Sequence, residues 1–252
     1  MTLMEYQLEI CAADIDSVHA AARGGADRVE LCSALSDGGV TPSIGLISEA
    51  MKVPDIKIHV LIRPRGGDFI YNQAETRAML TDIAFARAAG VHGLVIGALT
   101  PAGHIDMPLC SRLMEAAGDT PVTFHRAFDL CADPMKALDD IISLGCSRIL
   151  TSGQASDAMH GTETLRRFSE KAAGRVTILA GSGVTPANAA DILRVSGVSE
   201  LHASARSRIE SQATYRRSGV AMGTPGNDEY SRLATSESIV RELSRIVHNF
   251  TP

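Results

Sequence analysis

Four times along the chain a glycine is followed, after two to four residues, by a short apolar run. These stretches are Gly25-Ala-Asp-Arg-Val-Glu-Leu, Gly90-Val-His-Gly-Leu-Val-Ile, Gly145-Cys-Ser-Arg-Ile-Leu and Gly197-Val-Ser-Glu-Leu-His. Glycine can end a helix in the left-handed conformation without steric penalty, so each copy reads as helix end, tight loop, strand. Repetition of that unit implies a parallel sheet wrapped by helices. Helix starts carry their own marks. Thr41-Pro42, Asp133-Pro134 and Thr185-Pro186 each pair a capping residue with proline at the first helical position, and Asp14 is placed to cap the first helix.

These signals predict strands near 6–11, 28–32, 57–62, 93–97, 121–125, 148–152, 176–180 and 200–204, with a last helix near 229–249. Such a series favours a closed (β/α)8 TIM-type barrel over an open doubly wound sheet, and 252 residues is the size of one such barrel. No shift in composition marks a boundary, so one domain over 1–252 is expected. Only 205–228 lacks a pattern. It follows the eighth strand, where an active-site or subunit-contact loop falls.

Composition narrows the function classes. With 24 basic and 29 acidic residues the chain carries no basic stripe for nucleic acid. No stretch approaches the roughly 18 apolar residues of a membrane-spanning helix, and no secretory signal pattern opens the chain. Five cysteines without paired spacing read as reduced thiols, hence a cytoplasmic location.

In a barrel alternate strand residues point inward, and chemistry sits at the C-terminal strand ends. If Leu8 and Ile10 face the helices, Glu9 and Cys11 face inward; the same alternation aims Glu30 and Cys32 inward from the second strand. The third strand offers His59, Leu61 and Arg63, with Arg65 just beyond. The fifth offers Thr123 and His125, followed by Arg126 and Asp129, and the eighth His202 and Ser204. A single inward Glu fits a structural ion pair equally well. Two Glu, two His and two Arg on one rim favour a functional site, because burying so many charges without a role costs several kcal/mol each. Glu9 or Glu30 would serve as general base, and His125 or His202 as proton donor or electrophile.

After the seventh strand, Ala180-Gly-Ser-Gly-Val-Thr-Pro186 runs into a helix start. Gly181 and Gly183 either hold an anion on free N–H groups or merely permit a tight turn. Arg63 and Arg65, in Arg-Pro-Arg-Gly-Gly-Asp, form a second candidate anion clamp. Cys11 and Cys32 fall at equivalent places on neighbouring strands. They suit a soft ion such as Cu(I), or are two small buried apolar residues, which is the commoner fate of free Cys. Cys110, Cys131 and Cys146 read as structural, and the nine Met as core filler.

Longer strings complete the picture: LEICA at 8–12, GGADRVELCSALSDGGVTPS at 24–43, IRPRGGDF at 62–69 with Tyr71, GALT at 97–100 and HIDMPLC at 104–110. PVTFHRAFD at 121–129, LTSG at 150–153, GSGV at 181–184, LHASAR at 201–206 and SGVAMG at 218–223 follow. With these the chain closely resembles the CutC family, named for copper homeostasis, over nearly its whole length. That resemblance implies a TIM-like barrel, a cytoplasmic location, a homo-oligomer and an association with copper tolerance. It further implies Cu(I) binding at the paired cysteines, matched here by Cys11 and Cys32. Two readings therefore stand. One is a cytosolic copper-binding protein. The other is a barrel enzyme acting on a small phosphorylated or carboxylated molecule, with Arg63, Arg65, Arg126, Asp129, Gly181, Gly183 and Ser204 around the anion. A pure scaffold is remote, since interaction proteins rarely place Glu, His and Arg together inside a barrel.

Overall fold

The computed structural model describes residues 5–220, 222 and 228–251. Eight parallel strands close into a barrel in chain order: β1 Gln7–Ala12, β2 Arg28–Leu31, β3 Lys57–Leu61, β4 Gly93–Ile96, β5 Val122–Phe124, β6 Arg148–Thr151, β7 Thr177–Gly181 and β8 Glu200–Ala203. Pairing of β1 with both β2 and β8 shuts the ring. Every strand lies within one residue of its expected limits. The helices between them are α1 Ile15–Gly24, α2 Ile44–Ala50, α3 Gln73–Ala88, α4 Met107–Ala117, α5 Pro134–Leu144, α6 Thr162–Ala172 and α7 Ala189–Ser196.

The glycine punctuation works as the repeat implies: Gly25, Gly90, Gly145 and Gly197 all have φ between 68° and 84°. Asp14 caps α1 by accepting from the Ser17 N–H at 2.8 Å, and Asp133 caps α5 with Pro134 as its first residue. Two expected starts move. Ser43, not Thr41, caps α2, because the Thr41 hydroxyl is taken by the backbone of Arg63 at 2.9 Å. After Thr185-Pro186 the chain turns first and α7 begins only at Ala189, with the Asn188 side chain accepting from the Thr185 N–H.

The largest difference lies after β8. The patternless 205–228 segment begins with strand β9, Arg206–Glu210, which pairs antiparallel with β10, Ser231–Thr235. The final helix, α8 Glu237–His248, is thus shorter than expected, its first residues having gone into the hairpin. Ala221 and Gly223 of the SGVAMG string lie outside the described residues.

Outward strand residues such as Leu8, Ile10, Val29, Leu31, Ile58 and Val60 pack under the helices as one core. Inward positions at the lower end hold charge instead. Arg28, 1% exposed, binds Glu9, reaches Glu200 at 2.6 Å and touches Gln7 at 3.1 Å; Arg148 completes the set on Glu200 at 2.9 Å. Two guanidinium groups balance two carboxylates, so each buried charge has a partner.

Candidate functional site

The inward positions above that network build the site. His202 follows Glu200 on β8 and accepts the register of β1, so its Nδ1 meets Glu9 Oε1 at 2.7 Å. Its Nε2 turns to Glu30 Oε2 on β2, 3.8 Å away. Burial opposes the charge on Glu9, but Arg28 and His202 outweigh it and hold the carboxyl well below the usual range. Among the described residues Glu30 has no guanidinium in contact, only His202 at 3.8 Å. Burial dominates there, only partly offset by His202, and lifts its pKa to about 7. His202 is shifted the other way: burial disfavours its charge, yet Glu30, Cys11 and Glu9 hold it well above the usual imidazole value.

His125, at the end of β5, sits between Gly97 and Phe69. A Cβ on Gly97 would lie 2.4 Å from the ring, and Phe69 leans on it at 4.8 Å between centroids. Burial, reinforced by Arg63, lowers its pKa to about 3, so the ring is neutral. Nδ1 accepts the Ala127 N–H at 3.1 Å, which leaves the ring proton on a buried Nε2 with no partner among the described residues.

Glu30, His125, His202, Cys11, Arg63, Arg126, Gly183 and Ser204 all line one cavity of about 390 Å³ at the C-terminal end of the barrel. Leu61, Phe69 and Leu150 supply its apolar wall. Arg206, the first residue of β9, also lines it. Sequence reasoning missed this residue because it lies in the segment without a pattern. The signal available was its place two residues beyond Ser204. Strained backbone clusters at the same rim. Of six non-glycine residues with positive φ among the described residues, four follow strands at this end: Ala34, Gln154, Ser182 and Ala205.

Other expected residues lie elsewhere. Glu9 is fully buried beneath the cavity and holds His202 from below. Arg63 lines the cavity, but its terminal nitrogens are committed to the carbonyls of Asp37, Gly39 and Gly67, and only Nε has no partner among the described residues. That fork pins two loops rather than gripping an anion. Arg65 is not among the residues lining the cavity and is bound to Glu75 and Asp68. Asp129 organises the β6 loop, accepting from Ser152 and Thr151 and pairing with Arg126. Gly181 serves closeness of packing, since a Cβ there would lie 2.5 Å from Leu150 and 3.1 Å from His202.

The cysteines are not level with each other. Cys11 stands opposite Glu30, while Cys32 lies two residues further up β2's line, its thiol donating to the Ala12 carbonyl at 3.6 Å. Cys11 lines the cavity; Cys32 is fully buried against Leu61 and Val95, and burial pushes its thiol well above the usual value. Among the described residues, the one set of three carboxylate, imidazole or thiol groups within reach of a shared metal ion is Glu9, Glu30 and His202, whose atoms lie within 4.8 Å of one another. It includes no cysteine. Its charges are already met by Arg28 and by the imidazole itself, so these residues suit proton sharing better than a soft cation.

Fold and site together define a (β/α)8 barrel protein with a cavity of mixed charge at the C-terminal strand ends, where barrel enzymes carry their chemistry. The CutC family model matches residues 6–207. The chain belongs to the CutC family. A CutC family protein from Chromobacterium violaceum is 49% identical over 240 residues, covering 95% of this chain and 97% of the relative. The copper homeostasis protein cutC homolog of Homo sapiens is 46% identical, covering 97% of this chain and 90% of its own length. The crystal structure of the CutC protein from Streptococcus agalactiae superposes with a TM-score of 0.76 at 35% identity, over 79% of this chain and 98% of that one. Among the described residues, no helix is long and apolar enough to cross a membrane.

Proposed function

We propose that the cavity is the catalytic site of an enzyme that moves a proton on a small organic anion, starting at a carbon next to a carbonyl. One observation carries this reading: Glu30 and His125 line the same cavity, both buried, with opposed protonation behaviour. A general base works best with a pKa near the operating pH, which burial gives Glu30 at about 7. A neutral imidazole can donate a hydrogen bond to a carbonyl oxygen without losing its proton, and His125 carries such a donor in its buried Nε2–H, unpartnered among the described residues, in the cavity wall. Glu30 takes the C–H proton, the electron pair moves onto the carbonyl oxygen, and His125 binds that oxygen as charge builds on it. Return of the proton to carbon restores Glu30. His202, anchored by Glu9, positions Glu30 from below.

The reaction is tested in D2O with a panel of small oxo acids and oxo phosphates, following loss of C–H signal by NMR. Wild type should exchange at least one of them, and Glu30→Gln should slow exchange about 100-fold or more. Equal exchange by Glu30→Gln, or none by wild type across the panel, overturns the assignment.

The names of the relatives support a second reading, Cu(I) binding, and Cys11 favours it. Its thiol and the His202 imidazole line the same cavity, and thiolate with imidazole suits Cu(I). Anaerobic titration decides: unchanged Cu(I) affinity in Cys11→Ser/Cys32→Ser removes copper from the site. Five free, buried cysteines support a reducing, cytoplasmic location. Phe85 and Ala84, exposed on α3 beside a half-buried Leu80, support a homo-oligomer, which light scattering would test.

A further inference from the structure

Donor groups around the cavity fall into two sets. On the β7–β8 side, the backbone N–H groups of Ser182, Gly183, Val184, Ser204 and Ala205 carry no hydrogen bond among the described residues. Ser182 and Gly183 (φ 83° and 69°) and Ala205 (φ 47°) adopt left-handed conformations, which turn successive N–H groups toward one side. The Arg206 guanidinium stands beside them, also without a hydrogen-bond or ion-pair partner among the described residues. Nearby Arg208, in contrast, is bound by Glu210 and Asp228.

The second set is an independent observation on the wall formed by β3 and β5. Among the described residues Arg63 Nε and His125 Nε2 are donors without acceptors, on side chains 6% and 5% exposed, and both residues line the cavity. A buried donor left unmade costs about 1–3 kcal/mol. Both atoms are buried in that wall, so a ligand oxygen would satisfy them on pressing into it. Glu30 and His202 line the same cavity as both sets.

We propose that the cavity takes a small phosphate monoester that also carries a carbonyl or hydroxyl oxygen. The phosphate lies at Ser182–Val184, Ser204 and Arg206, and the second oxygen faces Arg63 and His125. Five N–H groups from two strand ends plus one guanidinium exceed what the two oxygens of a carboxylate can accept. They suit the three terminal oxygens and near-double charge of a phosphate. The inference rests on the cavity being a substrate site, and adds the chemical class of that substrate.

The test uses inorganic phosphate and acetate as probes, with calorimetry and amide NMR of the intact protein. Phosphate should bind at least 10-fold more tightly than acetate, with the largest shifts at the amides of Ser182, Gly183, Val184, Ser204 and Ala205. Arg206→Ala should weaken phosphate about 10- to 100-fold, while Arg208→Ala should not change it. The wild-type shifts need no variant, so a misfolded Arg206→Ala would not rescue the idea. Absent phosphate binding, a preference for acetate, shifts confined to other amides, or equal affinity in Arg206→Ala each overturn it. Binding is read without turnover, so failure here leaves the Glu30 exchange result standing, and the reverse also holds.

Discussion

Lowering the pH from 6.5 to 4.5 sets three buried groups of this barrel against one another. His59 and His125 are both held near a pKa of about 3, mainly by burial. Each is neutral in the fold and protonated in the unfolded chain across this window. Their stability contribution is complete above 6.5 and is lost as pH falls, at about 1.4 kcal/mol per pH unit each. Glu30 has the opposite sign. With its pKa raised to about 7 it is protonated in the fold but ionised when unfolded. Its contribution is complete below about 4.5 and lost as pH rises through 7. Two losses against one gain leave about 1.4 kcal/mol lost per unit, or about 3 kcal/mol over the window. Urea unfolding at five pH values measures this directly. Glu30→Gln should steepen the slope to about 2.7 kcal/mol per unit, and His125→Gln should flatten it to near zero. A Glu30→Gln slope equal to wild type would refute the proton assignment at the base of the site.

Other perturbations give distinct outcomes. Arg28→Leu strips a cation from two buried carboxylates, Glu9 and Glu200, and should cost about 3–5 kcal/mol in chemical denaturation; a loss under 1 kcal/mol would contradict the paired network. Gly97→Ala places a methyl 2.4 Å from the His125 ring. It should lower stability by about 1–3 kcal/mol and displace the His125 ring resonances in NMR, whereas unmoved resonances would count against that packing. Iodoacetamide on native protein should label Cys11, which lines the cavity, well before Cys32, whose thiol is fully buried with a raised pKa. Peptide mapping showing equal labelling would contradict the offset between them.

The barrel was legible because its grammar is local. A glycine in the left-handed conformation and an apolar run need only their neighbours, so Gly25, Gly90, Gly145 and Gly197 located strands within a residue. Period-two alternation likewise placed Glu30, His125 and His202 inward. What the sequence could not show is decided across strands. Cys11 and Cys32 look equivalent until register puts Cys11 beside Glu30. Arg63 and Arg65 read as one clamp, yet loop carbonyls and Glu75 claim them separately. Ser231–Thr235 looked helical because its partner, β9, lay in a stretch with no pattern of its own. Arg206 escaped for the same reason.

The most direct measurement is a crystal structure of the protein with a small oxo phosphate bound. The phosphate should lie on Arg206 and the Ser182–Val184 amides, the carbonyl oxygen within hydrogen-bonding distance of His125 Nε2, and the adjacent carbon against Glu30. A ligand seated outside this cavity, or bound in it with Glu30 and His125 untouched, would contradict the proposed chemistry.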